Sequence, residues 1–130
     1  MTRRIHIGNQ RGQTMTEVAL VMPILLFLLL GIIQFGIVFN NYVTLTDAVR
    51  AGARKGAVAR RLTNPAGAVQ TQVRNSATDL KQSDLSVTVT STFAHGSDVT
   101  VTATYPYSIS LLGLVVKSGS LHSTTTERVE

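Results

Sequence analysis

The stretch that decides the fold is Val18 to Phe39, VALVMPILLFLLLGIIQFGIVF, 22 residues without a formal charge. At about 1.5 Å rise per residue a helix of this length spans ~33 Å, close to the ~30 Å hydrocarbon core of a bilayer. The Leu/Ile/Phe-rich centre, Ile24 to Leu30 with Ile32 and Ile33, favours insertion. Pro23 sits about one turn in, where a proline disturbs a helix less than at its middle. Gly31 and Gly36 offer close-packing points for another helix, and Gln34 brings a hydrogen-bonding amide to the later half. The run exceeds the ~7–15 apolar residues of a secretory signal. The small-x-small sites Ala51-Gly52-Ala53 and Ala57-Val58-Ala59 lie a dozen or more residues beyond it, inside a helical pattern, which argues against a cleaved signal peptide.

Outside this run the 130-residue chain is polar, rich in Thr, Ser, Gln and Asn, and only 15% of all residues are charged although 44% are hydrophobic. A soluble domain is nearer a quarter charged, so neither an ordinary soluble protein nor a multi-pass channel fits. The roughly 90 residues left suffice for one small domain with a thin core. Twelve Lys and Arg against seven Asp and Glu leave a net charge of +5. The excess flanks the apolar run: Arg3, Arg4 and Arg11 before it, and Arg50, Arg54, Lys55, Arg60, Arg61 and Arg74 against Asp47 after it. Anionic lipid is the natural counter-charge. Nucleic acid is not expected as a partner, because Tyr42 alone supplies a stacking aromatic within residues 40–75. With no cysteine there is no disulfide framework and no thiolate metal site.

Asn40-Asn41 mark the exit from the apolar run, and a helical pattern without proline continues to Thr63-Asn64-Pro65. Thr44, Ala48, Gly52 and Gly56 recur every four residues as a small-residue stripe, with Arg50, Arg54 and Arg61 on another face. The stripe suits close packing against a neighbouring helix, and a solvated helical extension is the other reading. Pro65, capped by Thr63 or Asn64, opens a second helix with Ala66, Val69, Val73, Ala77 and Leu80 on one face. After Ser83-Asp84 the period becomes two. Leu85 to Phe93 and Val99 to Tyr105 alternate with Ser and Thr around a turn at Ala94 to Asp98, a hairpin pattern. Ile109 to Val116 is apolar around Gly113 and reads as a short docking helix, an interfacial loop, or part of the domain core. Leu121 to Val129 holds enough Thr for a third strand. The expected fold is α+β: one long helix over 14–61, a helix near 65–81, and an antiparallel sheet of 85–93, 99–105 and 120–129.

No catalytic constellation emerges. His6, His95 and His122 lack metal-ligand spacing, and there is no nucleophile elbow or phosphate loop. No cofactor is called for, and an enzyme is not expected. The informative motif precedes the apolar run: a short basic leader, Gly12, and Glu17 five residues later. It resembles the processing site of type IV prepilins, which implies cleavage by a prepilin peptidase between Gly12 and Gln13. Gly imposes no side-chain clash on the extended backbone a protease takes. A carboxylate at the edge of a membrane helix is expensive unless paired. Cleavage would create an α-ammonium at Gln13, one helical turn from Glu17, on its own or a neighbouring subunit. Glu17 is also favourable to the helix dipole simply by position.

Residues 11–61 together resemble the TadE-like proteins of tight-adherence (Tad, or Flp) pilus systems. The resemblance rests on Arg11-Gly12, Glu17, Ala19, Pro23, Gly31, Gly36 and the segment Ala48-Val49-Arg50-Ala51-Gly52-Ala53-Arg54. It implies a minor pilin or pseudopilin, with the peptidase, other pilins and inner-membrane assembly proteins as partners. Val18 rather than Tyr follows Glu17, and a sizeable domain follows the helix, which disfavours a major Flp pilin. The implied organisation is a leader at 1–12, a membrane helix at 13–39, a helical extension at 40–63 and an extracytoplasmic domain at 64–130. Positive charge alone leaves orientation open, and the resemblance puts the N-terminus in the cytoplasm of a cell whose inner membrane holds the helix. A membrane-anchored adhesin or sensor, and a pseudopilin of a related secretion machine, are the competing readings.

Overall fold

The computed structural model describes residues 10–130; Arg3 and Arg4 of the basic leader lie outside the described residues. Helix α1, Gln10–Ala57, runs unbroken for 48 residues with Pro23 inside it, about 72 Å of helix. A single 3-10 turn at Ala59–Arg61 leads to helix α2, Pro65–Ser76. Three antiparallel strands follow: β1 Ser86–Thr90, β2 Asp98–Leu111 and β3 Leu114–Arg128, in the order β1-β2-β3. The α+β architecture expected from the sequence is the one found.

The C-terminal part of α1 and all of α2 cover one face of the sheet. Alternation places Val99, Val101, Ala103 and Tyr105 of β2 inward, where they meet Leu45, Ala48, Val49 and Ala53 of α1 and Val69 and Val73 of α2. Ala77, Leu80, Leu85 and Val129 close the same core. The helical extension and the residues after it thus share one hydrophobic core, on which a chain this small depends for its stability. On the outer face Thr100 bonds Thr126 at 2.9 Å, Thr102 bonds Thr124 at 3.0 Å, and Thr104 bonds His122 Nδ1 at 3.2 Å. These cross-strand pairs hold the register of β2 and β3.

Element ends depart from the sequence expectation for local reasons. α1 stops at Ala57 rather than 61, and the backbone N–H of Glu130 donates to its last carbonyl, Ala57 O, at 2.9 Å. α2 stops at Ser76 rather than 81. The Gln82 side-chain amide donates to Ala77 O at 2.8 Å and to Arg74 O and Leu80 O at 3.3 Å, taking up carbonyls a longer helix would have used. Arg74 answers by donating to Gln82 O at 2.9 Å and Leu85 O at 3.2 Å. Ala77 and Leu80 still reach the core, but through turns. The start of α2 is as read: Pro65 at the first turn and Asn64 Oδ1 accepting from Gly67 N at 2.9 Å.

β1 is shorter than 85–93. Ser91 Oγ accepts from Phe93 N at 3.0 Å and donates to Asp98 O at 2.9 Å, and Phe93 takes φ 52, turning the chain off the sheet. β2 and β3 are far longer than 99–105 and 120–129. Residues 109–116 are neither a docking helix nor core: they form the end of the β2–β3 hairpin, closed by Leu112 and Gly113 with φ 51 and 85. The consecutive apolar residues hid the period of two. Gly119 faces Tyr107 across this hairpin, and a Cβ there would meet the Tyr107 ring at 3.0 Å, so the glycine leaves room for the aromatic to lie over it.

Replacing Gln82 by Ala removes the side-chain bonds that close the end of α2, while Arg74 O and Ala77 O keep their backbone partners, and should destabilise the protein by about 0.5–1.5 kcal/mol. Thermal unfolding of the detergent-solubilised chain measures it, at about 4–8 °C per kcal/mol for a domain of this size.

Candidate processing and assembly site on the long helix

The first turns of α1 bring the motif residues together as the sequence suggests. Gly12, Gln13 and Glu17 are all exposed. Gln13 and Glu17 are one turn apart on the same face, with Gln13 Nε2 donating to Glu17 Oε1 at 3.4 Å. Thr16 Oγ1 donates to Gly12 O at 2.9 Å. Gly12 is thus helical.

From Val18 to Phe39 the large apolar side chains lie outside the core: Leu20, Ile24, Phe27, Leu28, Ile32, Phe35 and Phe39 are all exposed. Phe35 and Phe39 stack on each other at 6.3 Å between ring centroids, which leaves most of their surface free. Among the described residues α1 is the one helix long and apolar enough to cross a membrane. An apolar surface of this extent on a single helix needs lipid or other helices around it.

The small residues divide into two groups. A Cβ at Gly31 or Gly36 would meet nothing within 4 Å. Ala48, Gly52 and Gly56 instead lie against the chain's own elements. A Cβ at Gly52 would collide with Val73 Cγ2 of α2, and one at Gly56 would meet Val99 Cγ2 of β2 at 2.8 Å. Ala48 is fully buried. Sequence reading missed that Leu45, Val49 and Ala53 join this stripe at three- and four-residue steps and supply the apolar face that holds the helix. The signal was present in the spacing of Leu45, Ala48, Val49, Gly52, Ala53 and Gly56. Arg50 and Arg54 are exposed on the opposite side, and Arg50 reaches Asp47 at 3.6 Å in a solvated ion pair of small energetic weight. Among the described residues no group of three or more His, Asp or Glu is placed to hold a metal ion.

A single long apolar helix near the N-terminus, continued into an α+β head, fits a single-pass membrane anchor. Residues 12–54 match the family model described as TadE-like protein, the family the sequence resembles. The match covers the motif region, the apolar run and the part of α1 that enters the core. Comparison with curated proteins and with solved structures gave no match.

The close approach at Gly52 has a measurable signature. Gly52→Val should destabilise the protein by about 1–3 kcal/mol through overpacking. Gly52→Ala combined with Val73→Ala should lose less than the sum of the two single changes, by about 0.5 kcal/mol or more. Gly36→Ala, with open space around it, should leave the melting temperature in detergent unchanged. Thermal unfolding of the five variants, the two single changes of the cycle included, is the measurement.

Proposed function

We propose that this protein is a membrane-anchored minor pilin or pseudopilin of a Tad-type pilus, cut by a prepilin peptidase between Gly12 and Gln13, with its head on the extracytoplasmic side. The observation that carries the reading is the placement of Glu17 one turn from Gln13 at the start of an exposed apolar helix, within a segment that matches the TadE-like family. Hydrolysis of the Gly12–Gln13 peptide by water leaves a carboxylate on Gly12 and an α-ammonium on Gln13. That ammonium then begins the helix, one turn from Glu17 on the same face. In a bundle of such helices, Glu17 of one subunit pairs with the Gln13 ammonium of the next, and each pair offsets the burial of the other's charge. Gly31 and Gly36, with no neighbour in their own chain, are the points where another subunit's helix approaches. The role is structural: the exposed helix is the assembly surface, with lipid covering it beforehand.

Processing is tested by intact mass from cells with and without the peptidase. The expected product begins at Gln13, 12 residues shorter than the 130-residue chain, and full-length mass in both cells would refute the cut. Glu17→Ala should be processed and inserted normally but recovered poorly with pilus components, since stranding one member of a buried pair costs about 3–5 kcal/mol. Glu17→Asp should fall between. Normal piliation in Glu17→Ala would leave the residue a helix-start carboxylate worth only about 0.3–1 kcal/mol. Protease added outside spheroplasts should digest residues 60–130, and protection of that region would reverse the orientation.

A further inference from the structure

The β2–β3 hairpin extends past the core as a two-stranded ribbon, and its end is apolar and bare. Leu112, Leu114, Val115 and Val116 are 70%, 75%, 65% and 64% exposed. No formal charge occurs from Val99 to Val116. Leu112 is doubly out of place by ordinary rules. It holds φ 51 in a two-residue turn, where both central residues are left-handed and Asn, Asp or Gly is preferred. Its γ-branched side chain is also exposed to water there. A local strain of this kind, kept at a protruding tip, points to use of that side chain.

The register against α1 says where the tip goes. β2 runs antiparallel to α1: Val99 abuts Gly56, and Tyr107 shares a cleft with Ile37, Val38 and Asn41. From Gly56 back to Val38 is about 27 Å of helix, at ~1.5 Å per residue. From Val99 to Tyr107 is about 26 Å of strand, at ~3.3 Å per residue. The two elements therefore keep step. The partly covered positions of α1 continue as Asn41, Val38, Gln34 and Leu30, a stripe at three- and four-residue spacing running down from the core. On the strand, Tyr107, Ile109 and Leu111 are partly covered in turn. The six residues after Tyr107, ending at Gly113, carry the tip up to ~20 Å farther toward the N-terminal end of α1, alongside the second half of the Val18–Phe39 run.

We propose that this tip is a second membrane-contacting element: Leu111 to Val116 insert among the lipid acyl chains of the leaflet on the head's side, beside the helix that crosses the bilayer. The inference rests on the reading of α1 as a membrane span. Tyr105, Tyr107, Ser108, Ser118 and Ser120 lie at the level where α1 leaves its apolar run, and Tyr is a residue favoured at the headgroup boundary. Lys117 follows the tip directly and reaches back toward the headgroups along its own methylenes. The free edges of a two-stranded ribbon limit the depth, because unpaired backbone groups are not tolerated in hydrocarbon. The ribbon stays in the headgroup zone and its end alone enters the acyl layer. Inserted in this way, the tip gives the head a second foothold and fixes its rotation about α1.

The chain has no Trp, so a single one reports its own surroundings. Full-length protein carrying Leu114→Trp or Val116→Trp is reconstituted in vesicles of phosphatidylcholine and phosphatidylglycerol, with and without acyl-brominated phosphatidylcholine. Leu28→Trp, in the span, and Thr126→Trp, on the head, are read alongside. The expected result is blue-shifted emission from both tip variants, quenched by brominated lipid as Leu28→Trp is, with Thr126→Trp quenched only by acrylamide. Tip variants that behave like Thr126→Trp while Leu28→Trp is quenched by lipid overturn the tip proposal and leave the span intact. Tip emission that is blue-shifted but insensitive to brominated lipid places the tip on protein, such as a second copy of the chain, and overturns it as well. Failure of Leu28→Trp to sense the lipid removes the span and the proposal together.

Discussion

The joint of the molecule is the passage of α1 across α2 and the sheet at Gly52 and Gly56. There the helix backbone comes so near Val73 and Val99 that even a methyl group has no room. A thin core of mostly Val, Ala and Leu cannot gain stability by bulk, so it gains it by proximity. Valines of α2 and β2 fill the space that glycine leaves, and dispersion contacts along that line hold helix to sheet. With that approach made, Leu45, Val49 and Tyr105 complete the same core. Since α1 continues without interruption toward the N-terminus, the same joint aims the apolar segment relative to the head.

The two halves of α1 live in different solvents and are built differently. Toward the head, its contact face is narrow, with small residues where other elements approach and arginines turned out. Toward the N-terminus it is apolar all round and meets little of its own chain. A helix apolar on every side is stable only when enclosed, by lipid or by other helices. Gly12, Gln13 and Glu17 stand at the far end of that segment, exposed on the first turns of the helix.

Much of the fold was legible because it is written in periodicities. The charge-free run, the step from period 3.6 to period two after Ser83-Asp84, and the Asn64-Pro65 start of α2 each have one natural reading, and the match of residues 12–54 to the TadE-like family falls on the motif read from the sequence. What escaped depends on short-range side-chain bonds that no periodicity carries. Nothing in the spacing says that Gln82 will take carbonyls at and just beyond the end of α2, or that Ser91 and Phe93 will turn β1 aside. The hairpin end escaped for the opposite reason. Leu111, Leu112, Leu114, Val115 and Val116 look like core by composition, and only the left-handed pair Leu112-Gly113 makes them a turn. The stripe on α1 showed its small members and concealed Leu45 and Val49, which turned an expected contact between helices into a contact with a sheet as well.

The unbroken run of α1 also makes the protein a rigid lever with a fixed phase. Each residue of helix turns the axis by about 100° and advances it by ~1.5 Å. The direction in which Gly36 looks, relative to the threonine-lined outer face of the sheet, is therefore set by the residue count between them. One residue lost or gained between Phe39 and Leu45 would turn the span through more than a quarter turn relative to the head and carry Val38 and Asn41 out of the cleft they share with Tyr107. A helix with no hinge between its anchored half and its folded half passes torque and tension directly from one to the other, so a pull on the head is felt at Glu17 as displacement along the helix axis.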